Sequence, residues 1–313
     1  MNAGELRARF LQAAHRVIVG QEEPLRLALL CLLTEGHLLL EGVPGTAKTL
    51  LARTVAHLVR GTFGRIQFTP DLMPSDLLGT SVYEIATSRF SMRLGPIFAN
   101  VVLADEVNRA PAKTQSALLE AMEERQVTLE GQARAIPRPF LVFATQNPVE
   151  YEGTYPLPEA ELDRFLFKAL VRYPSSDEEA TILRLHSGGE EARDRLASLE
   201  PLPEGALEAA GREVDATTVS DAVVGYVVAI VEASRRSPDL HLGASPRAGV
   251  HLLRAAKANA ALEGRDFVTP DDVKALVAPV LRHRVVLKPE AEIEGLDADG
   301  VVVRVLSRVE VPR

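Results

Sequence analysis

The sequence of 313 residues contains one cysteine, Cys31, so no disulfide can close within the chain. Its setting in the apolar stretch "LRLALLCLL" marks it as a small buried hydrophobe. Long hydrophobic runs are missing as well. Segments such as "LRLALLCLL" and "VVAIVEA" are interrupted by charge far short of the roughly 20 apolar residues that span a bilayer. The start of the chain shows no basic region followed by an apolar stretch and a small-residue cleavage site, and a cytoplasmic location is therefore expected. A surplus of basic residues is lacking too: 35 Lys and Arg stand against 43 Asp and Glu, a net charge of -8. That balance disfavours a general binder of nucleic-acid backbones, which would concentrate Lys and Arg to release counterions. No internal repeat or low-complexity stretch is present.

Hydrophobic content of 46% allows a sizeable core, and the length suits two domains. The first half alternates strand and helix patterns, whereas the second is helical almost throughout. The boundary falls near "RYPSSDEEA", giving a core over residues 1–175 and a helical domain over 176–313. Helices are expected at 5–15 and 22–33, and from Lys48 until just before Gly61. Five buried strands are expected at "HLLLE", "RIQFT", "VVLAD", "LVFAT" and "FLFKALV", the spacing of a doubly wound parallel sheet. Two further segments, about 81–94 and 126–137, read as inserted β-hairpins, the second turning at Glu130-Gly131. In the second half, Ser220, Ser245-Pro246 and Thr269-Pro270 with Asp272 are helix-start signals. The tail "GVVVRVLSRVEV" is ambiguous, because β-branched residues favour a strand while the preceding Asp-Ala-Asp favours a capped helix.

Chemistry concentrates first in "GVPGTAKT", residues 42–49, between a buried strand and a helix. It fits G-x-x-x-x-G-K-[ST], a loop whose backbone N–H groups cradle phosphates while Lys48 reaches the β and γ phosphates and the Thr49 hydroxyl meets magnesium. General versions of the loop place glycine before the lysine, where this chain has Ala47. Alanine is compatible there if the residue already belongs to the helix. Asp105 and Glu106, at the end of "VVLADE", suit magnesium binding and activation of a water, or else capping of a helix near 113–124. Asn147, in "FATQNP", either positions a water or senses the γ phosphate, or else forms a turn with Pro148. Arg164 and Arg247 carry planar forks suited to phosphate, although solvated ion pairs are the common role of such residues.

Together with "GRIQFTPDLMPSDLLGT", "LADEVNRAPAKTQSALLEAMEE", "FATQNPVEYEGTYPLPEAELDRF" and "GASPRA", these motifs resemble the MoxR-type AAA+ ATPases over roughly residues 5–310. The resemblance implies an α/β fold: a P-loop αβα core with a five-stranded parallel sheet and inserted hairpins, followed by an all-helical lid. It implies ATP and Mg2+ bound between subunits of a homo-oligomeric ring, usually a hexamer. Nucleotide contacts would come from Val19 and Gly20 in "VIVGQ", and from Gly42, Val43, Pro44, Gly45, Thr46, Ala47, Lys48, Thr49 and Leu50. Thr49 and Asp105 would serve the metal, and Glu106 would be the catalytic base. Asn147 becomes sensor 1, Arg164 the arginine finger acting on a neighbour, and Arg247 sensor 2 from the lid, with Arg109 a second trans-acting candidate. The implied work is chaperone-like remodelling of partner proteins, with a von Willebrand factor A domain protein as partner. Two other classes remain open. One is a nucleic-acid motor whose lining would use Arg89, Arg93, Arg134 and Arg138; the other is a nucleotide-gated scaffold with little turnover.

Overall fold

In the computed structural model, residues 1–43, 45–146, 155–187, 189 and 191–312 are described. The chain opens with α1 (Ala3–Ala14) and α2 (Glu22–Thr34), the first started by a capping box between Asn2 and Glu5. Strand β1 (Leu38–Gly42) then enters the core, and α3 (Lys48–Leu58) follows the glycine-rich loop. Next come β2 (Phe63–Gln67), the short α4 (Pro74–Leu78), and a hairpin of β3 (Gly79–Glu84) and β4 (Arg89–Leu94). Strand β5 (Val101–Asp105) leads through a 3-10 turn to α5 (Ala112–Glu124). A second hairpin, β6 (Gln126–Leu129) and β7 (Gln132–Ala135), precedes β8 (Leu141–Gln146). The half closes with α6 (Glu159–Leu162) and β9 (Phe167–Val171).

Five parallel strands pair in the order β2-β5-β8-β1-β9. Leu38, Leu39 and Leu40 are buried in succession because helices or hairpin segments cover both faces of a parallel sheet. Both inserted hairpins form as expected, and the second turns through Glu130 (φ 50°) and Gly131 (φ 78°), the pair of positive values a two-residue I′ turn demands.

The second half contains α7 (Ser176–Ser187), α8 (Ala192–Ala197), α9 (Ala206–Ala216) and α10 (Asp221–Arg235). After β10 (Leu240–Leu242) come α11 (Pro246–Leu262), α12 (Pro270–Leu281), β11 (Val286–Leu287), α13 (Pro289–Ile293) and α14 (Ala298–Ser307). The short antiparallel pair β10–β11 departs from the expected all-helical reading; it is too brief to show a periodicity in sequence. The ambiguous tail is α14, capped by Asp297, whose carboxylate accepts from the Gly300 N–H at 2.7 Å. Val301, Val302 and Val305 are buried while Val303 is 64% exposed, so a helical face and a cap prevail over β-branched preference. One apolar core runs without a break from α1 and α2 through the sheet to α9, α10, α11 and α12, and includes the fully buried Cys31. Among the described residues, no helix is long and apolar enough to cross a membrane.

Asp272 shows how a helix start can also be a core anchor. Its carboxylate accepts from Arg265 at 2.6 Å, from Asn259 at 2.7 Å, and from the Thr269 N–H at 2.8 Å. Burial pushes its pKa up, but these donors outweigh burial and hold it below the usual aspartate value. A depressed native pKa stabilises the fold above the unfolded-state value and loses that contribution as pH falls through the native one. Asp272→Ala is expected to cost roughly 2–4 kcal/mol in urea unfolding at neutral pH. The difference from wild type should shrink under acid conditions below the native pKa of Asp272.

Candidate nucleotide site

The loop after β1 shapes the site. An added Cβ at Gly42 would sit 2.3 Å from the Val171 carbonyl, so only glycine lets β1 lie against β9 as it enters the loop. Gly45 has φ 83° and Ala47 has φ 60° and ψ 21°. Ala47 is therefore left-handed and stands just before α3, contrary to the expectation that it already lies within the helix. The turn from strand to helix is made in a few residues, and residues of positive φ rotate successive N–H groups toward one concave side. The general preference for glycine before the lysine has its cause in this backbone angle. Thr46 Oγ1 braces the turn by donating to the Val43 carbonyl at 2.9 Å, and the Lys48 ammonium donates to the Gly42 carbonyl across the concavity.

A cavity of about 580 Å³ opens over this loop. Gly42, Gly45, Thr46, Ala47, Lys48, Thr49 and Leu50 form its floor, and Asp105, Glu106 and Thr145 close one side. Burial pushes the Lys48 pKa down, opposed by Asp105, Glu106 and Glu41. The acidic side is tightly held: Asp105 Oδ1 accepts from Thr145 Oγ1 at 2.8 Å, and Asp105 Oδ2 pairs with Arg65 at 2.7 Å. Glu106 Oε2 accepts from Gln67 and from Arg109, each at 3.0 Å. Neither acid caps α5, which begins after Pro111. Arg109, the second trans-acting candidate, pairs with Glu106 within this chain.

Val17, Ile18 and Val19 from the α1–α2 connection meet Ile182, Leu185, Ala192 and Arg195 from α7 and α8 to form the remaining wall. Of the expected contacts, Gly20 and Val43 do not line the cavity, and Pro44 and Asn147 lie outside the described residues. The α7 and α8 contributors escaped the sequence reading. Their signal is an apolar pair, Ile182 and Leu185, three apart on a helix rich in charge.

Arg164 and Arg247 occupy a second place. Both pair with Glu123, Arg164 Nε with Oε2 at 2.8 Å and Arg247 Nη2 with Oε1 at 2.7 Å. They line a cavity of about 170 Å³ that shares no lining residue with the first. Gly36 and His37 before β1 and Leu166 before β9 also border it, which puts it at the amino edge of the sheet, while the Lys48 loop leaves the carboxyl edge. Five strand residues at about 3.3 Å each separate the two edges by roughly 16 Å. Arg247, expected as sensor 2 from the lid, thus stands at Glu123 and not at the phosphate loop of its own chain, because the start of α11 packs at the far edge. Of the four arginines weighed for a nucleic-acid lining, Arg138 is committed to Glu35 at 2.9 Å.

These features match known proteins along the whole chain. The profile of the ATPase family associated with various cellular activities (AAA) matches residues 37–167, and that of an AAA lid domain matches residues 232–304. Chaperone MoxR1 of Mycobacterium tuberculosis is 47% identical over 309 residues, which cover 95% of this chain and 80% of that protein. Protein MoxR of Paracoccus denitrificans is 34% identical over 93% of this chain and 92% of its own. The chain belongs to the MoxR family of AAA+ ATPases. A solved structure of a candidate ATPase from Cytophaga hutchinsonii superposes on this MoxR-family chain with a TM-score of 0.91 at 39% identity, covering 99% of this chain and 96% of that one. The uncharacterized protein YeaC of Bacillus subtilis is likewise 47% identical over 98% of this chain and 95% of its own length.

The left-handed angle at Ala47 makes a measurable statement about this MoxR-family loop. A non-glycine residue in that region costs about 1–2 kcal/mol, partly offset by the extra chain entropy a glycine loses on folding. Ala47→Gly is expected to raise unfolding stability by up to about 1 kcal/mol, whereas a β-branched Ala47→Val should lower it by more than that. Thermal denaturation of the two variants checks the sign; a destabilised glycine variant would contradict the backbone angle.

Proposed function

We propose that this chain binds ATP with magnesium in the Lys48 cavity and hydrolyses it as part of a homo-oligomeric ring, in the manner of a hexamer. The observation that carries the reading is the convergence of the phosphate-loop residues 45–49 with Asp105 and Glu106 on one cavity with an apolar wall. The donor set fits both ligands: a concave loop with a lysine for phosphates, and the Thr49 hydroxyl beside a carboxylate for a hard cation. Asp105 and Thr49 would hold magnesium, which would neutralise charge on the phosphates. Glu106 would take the proton of the attacking water, and Asn147 would orient that water.

Arg164 and Arg247 complete the proposal from outside. Each chain would offer both to the phosphates of its neighbour, since roughly 16 Å of sheet separates them from their own loop. Charge supplied from outside the site is worth orders of magnitude in phosphoryl transfer. We assign residues 1–175 to the nucleotide-binding core and 176–313 to the lid. The energy would drive chaperone-like remodelling of a cytoplasmic partner, a von Willebrand factor A domain protein being the expected one. Support comes from the chaperone name of the Mycobacterium tuberculosis relative and from the solvent-facing first hairpin, where Ile85 is 86% and Phe90 73% exposed.

Two variants test the site. Lys48→Ala should abolish binding of a fluorescent ATP analogue. Glu106→Gln should keep binding but lower turnover by at least about a hundredfold. Capture on the ATP-loaded Glu106→Gln chain should enrich a von Willebrand factor A domain protein; recovery of the ATPase alone would count against the remodelling role.

A further inference from the structure

We propose that Glu123 is a positioning residue: it holds Arg164 and Arg247 as one pair directed out of the chain, so that both arrive together at a neighbour's nucleotide. This rests on the reading that the two arginines act across a subunit boundary. Two guanidinium groups brought side by side repel each other, and a single carboxylate with one oxygen on each is the smallest device that keeps them together. Arg164 engages Glu123 through Nε, and its two terminal nitrogens make no hydrogen bond among the described residues. Within this trio two cations face one anion, and Glu120, Glu124 and Glu161 border Arg164 on its other side.

The backbones that carry the three residues are fixed by neighbouring contacts, and the Leu166 N–H donating to the His37 carbonyl at 2.9 Å joins the arginine side to the Glu123 side. Asp163, next to Arg164, accepts from Ser245 Oγ at 2.8 Å, and Ser245 is the N-cap of the helix on which Arg247 stands. The other Asp163 oxygen pairs at 2.6 Å with Arg284, a fully buried guanidinium that also donates to the carbonyls of Asp163, Phe165 and Leu166. On the Glu123 side, the Val142 N–H donates to His37 Nδ1, which leaves His37 Nε2 to donate to the Met122 carbonyl at 3.1 Å. Burial lowers the His37 pKa to about 4, so the ring stays neutral and this arrangement persists at physiological pH. Arg125, two residues beyond Glu123, is clamped to Glu35. A surface ion pair that merely decorated the fold would need none of this support, because exposed pairs contribute little to stability.

Mixed assemblies separate a positioning role from a structural one. Glu123→Ala and Glu123→Gln should each lower turnover by at least about tenfold while leaving affinity for a fluorescent ATP analogue within about twofold. Glu123→Asp, which restores the charge on a shorter stem, should recover part of the loss. Glu123→Ala chains retain an intact Lys48 site, and Glu106→Gln chains retain intact arginines. Mixing these two poorly active variants should therefore restore hydrolysis, to about a quarter of wild type if subunits mix at random around the ring. An Arg164→Ala and Glu106→Gln mixture serves as the reference. Recovery in the reference without recovery in the Glu123→Ala mixture overturns the role of Glu123. Failure of the reference mixture overturns the action of the arginines across subunits, and the proposal with it. Wild-type turnover by Glu123→Ala alone would also overturn it.

Discussion

The parallel register of β1 with β8 and β9 fixes where both charged sites lie. Leu38 lies opposite Phe143 and Phe167, and Glu41 opposite Gln146 and Leu170. This register sends the chain out of the carboxyl edge of β1 directly into the phosphate loop, with Asp105 leaving the same edge on β5. At the amino edge it leaves Gly36, His37 and Leu166, against which α5 and α11 bring Glu123 and Arg247. Substituting Gly42 would place a side chain 2.3 Å from the Val171 carbonyl, so the register and the loop cannot be altered independently.

Two charge systems follow from that geometry, and they have opposite character. Around Lys48, the acids Asp105, Glu106 and Glu41 surround a partly buried ammonium; Thr145, Gln67, Arg65 and Arg109 orient the first two and Lys168 pairs with Glu41. In the cavity at the other edge, arginines predominate over Glu123 and Glu35, with Glu120, Glu124 and Glu161 beyond Arg164. A phosphate chain with its metal suits the first; additional negative charge suits the second. On the proposed reading, these are two halves of one site carried at separate places on the chain. The halves would be joined by a second copy, and head-to-tail contacts of that kind generate rings where the rotation between copies closes.

Much of this was legible in the sequence because it is local. The apolar run at 38–40, the glycine-rich loop, the Asp105-Glu106 strand end and the Glu130-Gly131 turn each declare themselves within a few residues. What the sequence hid was either an angle or a long-range contact. Ala47 looks like a helix residue because alanine favours helices, and its φ of 60° is imposed by the turn around it. Arg247 sits near a helix start in a lid, and nothing nearby in sequence tells that its partner is Glu123, 124 residues away. The apolar wall from Ile182 and Leu185 is likewise settled by packing across the chain, while the strand pair β10–β11 is too short to declare itself. Asn147, whose role rested on its place at the end of β8, lies outside the described residues.

With Arg164 and Arg247 acting across a subunit boundary as proposed, a chain cannot complete its own hydrolytic site. Steady-state ATP turnover per chain, measured across protein concentrations that span assembly, tests it most directly. The expected result is turnover that rises steeply with assembly, while ATP affinity measured at the same concentrations changes little. Turnover per chain that is independent of concentration down to the isolated subunit would contradict the claim.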